Sequence, residues 1–189
     1  MNAARTVLEH TNILDAKVDD FVGEAGLARG TFYIYFSDKL DLLRALTQET
    51  IEQVFEDALV KLDRNVHPLE RLKLSLAAIL RSWQAHAGVL SSLYQLSLVR
   101  EDFDYFAEDL RRPFVERMQL ELESSMKRGR AHPINSQLAA DAFGTLVGWT
   151  CMRWFGQGHA PSEQATIDDV VETLALLWYR ALFAADPDD

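Results

Sequence analysis

The sequence gathers hydrogen-bond donors in one place, Gly26 to Leu46, GLARGTFYIYFSDKLDLLRAL. Arg29, Thr31, Tyr33, Tyr35 and Lys39 supply a guanidinium, a hydroxyl, two phenols and an ammonium, and four of the five residues from Phe32 to Phe36 are aromatic. An outward tyrosine in such a run can donate to a phosphate oxygen, and an arginine fork can engage two acceptors at once. The chemistry on offer is recognition through hydrogen bonds.

Bond-making chemistry finds no comparable constellation. His10, His67, His86, His132 and His159 are scattered, and the sequence holds no H-E-x-x-H, nucleophile elbow, P-loop or G-x-G-x-x-G. Cys151 stands alone in an apolar segment, which rules out an intrachain disulfide or a multi-cysteine metal site and reads as a buried thiol. Asp168 and Asp169 open a helical segment, where the helix dipole favours negative charge without any catalytic role. The expectation is a protein that is not an enzyme and uses no cofactor or metal.

Composition agrees with a folded chain. Its 189 residues are 48% hydrophobic and 25% charged, enough to bury a core. No window approaches the ~18 uninterrupted apolar residues of a membrane span, and residues 1 to 17 lack the order of a signal peptide, so the cytoplasm is the expected compartment. The formal net charge of −10 argues against a surface that is nucleic-acid-binding throughout. Residues 1 to 50 are themselves acidic, with five Lys and Arg against eight Asp and Glu.

The elements that must position the donors are helical. Leu40, Leu43, Leu46, Ile51, Val54, Phe55, Leu59 and Leu62 recur at three- and four-residue steps, predicting one long helix over about 39–63. Pro68 starts another, ended by Gly88, and a shorter one follows over about 89–99. The segment from Glu101 to Arg130 begins acidic and ends basic, with Pro113 expected to kink or interrupt it. Two further helices, about 135–156 and the one capped by Ser162 or Thr166, complete an all-α fold; the last carries Val170, Leu174, Leu177, Trp178 and Leu182 on its apolar face.

Before the long helix, Val18, Phe21, Val22 and Ala25 form one side of a short helix, Gly26 can take the left-handed conformation that ends it, and Leu27 can pack back. A second short helix begins near Ala28 or Arg29. Two short helices across a tight glycine-containing turn make a helix-turn-helix, whose second member can enter the major groove. Phe32, Tyr35 and Phe36 are expected on its inner side and Arg29, Tyr33 and Ser37 on its outer side, large rings supplying the apolar area that so short a helix lacks.

The stretch VDDFVGEAGLARGTFYIYFSDKLDLLRAL resembles the DNA-binding segment of the TetR family of bacterial transcriptional regulators. The resemblance implies that Arg29 and Thr31 face base edges or phosphates, that Tyr33 and Tyr35 hydrogen-bond phosphates, that Lys39 contacts the DNA backbone, and that Gly30 allows close approach. Two departures stand out: Lys17 and Ala28 occupy positions where the family usually has Ser or Thr as helix caps, and only a stub of the family's first helix precedes the motif.

The family likeness divides the chain into a helix-turn-helix domain, 1–46, with its first helix apparently truncated, and a helical ligand-binding and dimerisation domain, 47–189. Rings and sulfurs are dense in the second part, and Trp83, Tyr94, Phe106, Phe114, Met118, Trp149, Met152 and Arg153 are the candidates to line an apolar pocket. The expected partners are double-stranded operator DNA, a second copy of the chain through the last two helices, and a small apolar or amphipathic ligand. A repressor released by that ligand is the reading; the alternative is a ligand-binding dimer of the same fold that has lost operator binding.

Overall fold

The computed structural model describes residues 1–58 and 66–183. Three short helices come first: α1 (Asn2–His10), α2 (Val18–Ala25) and α3 (Arg29–Tyr35). The long α4 (Lys39–Ala58) follows, and the body is built from α5 (Pro68–Ala85), α6 (Ala87–Ser97), α7 (Glu101–Lys127), α8 (Ser136–Cys151) with a π-helical turn (Met152–Gly156), and α9 (Ile167–Leu182). The predicted continuation of α4 to residue 63, with Leu59 and Leu62, lies outside the described residues.

Local chemistry accounts for the ends of the small helices. Gly26 sits at φ 64°, and the Leu27 N–H donates to the Val22 carbonyl at 2.9 Å, closing α2 as a glycine C-cap does. Leu27 itself stays exposed instead of packing back, and Ala25 is exposed too. The missing cap at Lys17 is half made good, because its N–H donates to Asp20 Oδ2 at 2.7 Å; Ala28 gives α3 no side-chain cap. Asp38 opens α4 by accepting from the N–H groups of Leu40 and Asp41 at 2.8 and 2.9 Å.

Three expectations about the body change. Gly88 does not end α5; it lies in the first turn of α6, where a methyl would overlap the Leu8 carbonyl of α1. Pro113 does not interrupt α7, since its side chain is exposed while Phe103, Val115 and Leu122 on either side are buried, and their burial outweighs one lost backbone hydrogen bond. Leu177 lies off the buried face of α9, which consists of Val170, Val171, Leu174, Ala175 and Leu182. Thr166 is the residue that caps α9, its hydroxyl accepting from the Asp169 N–H at 3.1 Å.

Two cores result. The first gathers Ala4, Leu8, Ile13, Phe21, Phe32, Leu43 and Leu46 with Val89, Leu93 and Leu96 of α6 and Phe103 of α7. The second takes Val54, Leu76, Leu80, Trp83, Leu90, Phe143, Val147, Cys151, Met152 and much of α9. Helix α6 therefore contributes to both, Val89, Leu93 and Leu96 to the first and Leu90 to the second, and α4 runs from one into the other across the expected boundary at residue 46.

Candidate nucleic-acid interface and ligand core

Helix α3 is held by one buried side chain. Phe32 packs edge-on against Tyr33 at 5.4 Å between ring centroids and against half-buried Phe36 at 5.6 Å. The rest of the helix is exposed apart from half-buried Thr31. Tyr35 is 73% exposed, a correction to its expected place in the core; it is three residues from Phe32, about 60° around the helix, too far to share that contact. At 100° per residue, Gly30 and Ile34 run down the middle of the exposed face, Arg29 and Tyr33 along one flank and Thr31 and Tyr35 along the other.

Sequence reasoning missed Ile34, which is 75% exposed. Its signal was available: it lies four residues from Gly30 and on the opposite side of the helix from Phe32. Among the described residues Gly30 has no neighbouring atom within 4 Å of where a Cβ would stand.

Arg29 is pre-positioned. Its Nη1 lies 3.1 Å from Asp19 Oδ2 of α2, and its Nη2 donates to the Tyr33 hydroxyl at 3.4 Å. The hydrogen bond with Tyr33, then the charge of Asp19, raise the guanidinium pKa further above its already high value, so it remains a cation. Lys39 is placed differently from the other donors: its ammonium donates to the carbonyls of Leu14 and Ala16, both at 2.8 Å, and so clamps the turn between α1 and α2.

The eight pocket candidates do not form one group. Trp83 and Met152 are buried in the body core, with Tyr94, Phe114 and Met118 packed against it, and Trp83 meets Tyr94 edge-on at 5.7 Å. Phe106 belongs instead to the amino-terminal core, beside Phe103 and 5.1 Å from the Arg44 guanidinium. Trp149 is half exposed and Arg153 exposed, both facing away from the core.

Arg111 is a polar group of this core that the sequence reading passed over. Its Nε and Nη2 engage Glu108 at 3.0 and 3.2 Å, Nη2 also meets Asp141 at 2.6 Å, and Nη1 is buried without a partner among the described residues. It precedes the inward residues Phe114 and Val115 by three and four positions, the spacing that would have marked it.

The junction between the two parts is tied by polar contacts as well. Arg5 donates to Thr50 Oγ1 at 2.6 Å and pairs with Glu49 at 3.1 Å, Asn12 Nδ2 donates to Gln95 Oε1 at 2.5 Å, and Arg44 reaches Asp102 at 2.6 Å. A cleft of about 390 Å³ opens beside the α1–α6 crossing, lined by polar groups including Glu9, His10, Gln84 and Ser92, and by Phe155. Among the described residues no group of three or more His, Cys, Asp or Glu could hold a metal, and no helix is long and apolar enough to cross a membrane.

Comparison with known proteins places this geometry. Residues 1–46 match the family model of bacterial regulatory proteins, tetR family. The whole chain shares its fold with solved structures of regulators. The fatty acid degradation regulator FadR from Bacillus halodurans is 18% identical, with 94% of each chain covered and a TM-score of 0.76. FadR from Bacillus subtilis in complex with stearoyl-CoA is 18% identical, with 95% of this chain and 96% of that chain covered and a TM-score of 0.78. A tetR-family regulatory protein from Rhodococcus RHA1 is 22% identical, covering 98% and 95%, with a TM-score of 0.78. No curated protein matches the sequence.

Proposed function

We propose, from the premise that the amino-terminal domain belongs to the tetR family of bacterial regulatory proteins, that the chain is a transcriptional regulator. It binds operator DNA as a homodimer and represses until a small, largely apolar ligand enters the helical body. The observation that carries this reading is the outward face of α3, where Arg29, Thr31, Tyr33 and Tyr35 flank Gly30 and Ile34 and only Phe32 is buried. Arginine can read guanine O6 and N7, isoleucine can meet a thymine methyl, and the tyrosines and Thr31 can hold phosphates on either strand. Lys39 serves this face indirectly, by fixing the turn that carries α2.

The dimer forms through α8 and α9. Leu138, Leu146 and Trp149 recur along one face of α8, where Leu138 is 65% and Trp149 50% exposed, and Leu177 of α9 is 63% exposed. Apolar side chains of this size in a row need a cover, and a second copy supplies one by isologous contact. Ligand binding shifts α6, which packs on α1 and on the π-helical turn, and thereby alters the spacing of the two α3 helices. No catalytic step enters this reading, and the cytoplasm is where it would act. Selection of bound duplexes from a random pool tests it: enrichment of a palindrome whose half-sites lie about 34 Å apart supports the reading, and a pool that stays random overturns it.

A further inference from the structure

We propose that Tyr94 and Arg111 together hold the carbonyl oxygen of a neutral, otherwise apolar ligand over the groove that Gly144 and Gly148 form on α8. The inference deepens the regulator reading by naming the ligand chemistry, and rests on that reading only for the signal the ligand would send.

Gly144 and Gly148 are four residues apart, so they lie one above the other on the same face of α8. A Cβ on Gly144 would stand 3.5 Å from Arg111 Nη1, and one on Gly148 would overlap the Tyr94 hydroxyl. Two donors from different helices, α7 and α6, are thus packed about one helical turn apart against the bare backbone of α8, where Val115 and Phe114 also approach Gly144. Neither has a partner among the described residues: Nη1 is buried unpaired, and the Tyr94 hydroxyl makes no hydrogen bond. An unmet buried donor on a charged group costs enough that its retention points to an acceptor supplied from outside. Burial is also the first cause that raises the Tyr94 pKa, so the phenol keeps its proton and can donate.

The surroundings choose the acceptor. Trp83, Phe114, Met118, Phe143 and Met152 give the core around this groove an apolar character, so the bulk of the ligand is hydrocarbon. Arg111 already faces two carboxylates, Glu108 and Asp141, through its other nitrogens. An anionic ligand would bring a third negative charge to one guanidinium, whereas a ketone or ester oxygen accepts from Nη1 and the phenol without adding charge. A quaternary ammonium offers no acceptor at all.

Calorimetric titration of the full chain with 2-nonanone, nonanoate and 1-chlorooctane, beside Tyr94→Phe and Arg111→Lys, tests the assignment. Arg111→Lys keeps a cation for Glu108 and Asp141 while removing Nη1, and thermal melts check that both variants fold. The expected result is that 2-nonanone binds, that nonanoate and 1-chlorooctane bind more weakly, and that each folded variant loses about ten- to hundredfold in ketone affinity. Absence of ketone binding, equal binding of 1-chlorooctane, tighter binding of nonanoate, or folded variants with unchanged affinity would overturn it. Operator selection is read separately: a chain that selects a palindrome yet fails this titration loses this inference alone, and one that binds the ketone but selects no duplex loses the regulator reading alone.

Discussion

Gly88 of α6 lies directly against the Leu8 carbonyl of α1, at a separation that leaves no room for a Cβ. This crossing joins the helix that feeds both cores to the domain that carries the donor face. Gly88→Ala must therefore push α1 and α6 apart, at a cost of about 1–3 kcal/mol for overpacking, with a lower thermal midpoint and weaker operator binding. Gly23→Ala is the control: it is exposed within α2 with nothing near its Cβ position, so it should be neutral or stabilising by up to about 1 kcal/mol.

Arg29 and Lys39 separate by the same kind of comparison. The Arg29 pair with Asp19 is exposed on both sides, so Arg29→Ala should leave the melting temperature nearly unchanged while reducing operator affinity. Lys39→Met removes the clamp on the Leu14 and Ala16 carbonyls and should lower the melting temperature as well as the affinity. Melting curves and anisotropy on the same two variants decide this.

The helix-turn-helix was legible because each of its signals is local: a left-handed glycine at Gly26, a ring at Phe32 every short helix of this kind needs, and donors at fixed steps after it. The helical periodicity of the body was legible for the same reason. Tyr35 was misplaced because three residues leave a side chain about 60° from its neighbour, which pattern reading counts as the same face. Pro113 does not interrupt its helix, because its local cost is small against the long-range burial of Phe103 and Leu122. The division of the ring-rich residues among core, junction and surface depends on which helices meet, and Phe106 beneath Arg44 has no signature in its own segment.

Acid should loosen the contact between α4 and α7. Hydrogen bonding from Arg100, with the charges of Arg100 and Arg44, holds the Asp102 carboxyl below the usual carboxylate range. A folded-state pKa below the unfolded one means the contribution is present above the ordinary carboxylate pKa and is lost as pH falls through the lowered value. Asp102→Asn should therefore flatten part of the decline in stability on the acid side, a small effect that salt reduces further because the pair is half exposed. Urea unfolding at pH 3 to 7 measures it.

Cys151 should be inert in the folded protein. Burial pushes its thiol up to about 12, so at pH 8 almost none is thiolate, and the side chain is fully enclosed. Reaction with a disulfide reagent should wait for denaturant; rapid native labelling would mean that the body core opens.

If the proposed α8–α9 pairing is right, the intact chain runs as a dimer and Trp149→Glu or Leu177→Glu runs as a monomer without loss of helicity, since both side chains are exposed in the single chain. Light scattering after size-exclusion chromatography gives the mass directly.

The most direct test of the regulator reading is fluorescence anisotropy of the intact chain with duplex DNA from upstream of its own gene, at two salt concentrations, beside an Arg29→Ala, Tyr33→Ala double variant. Sequence-selective binding that weakens with salt and disappears in the variant is the predicted result. No binding by the intact chain, or binding that the variant retains undiminished, would contradict it.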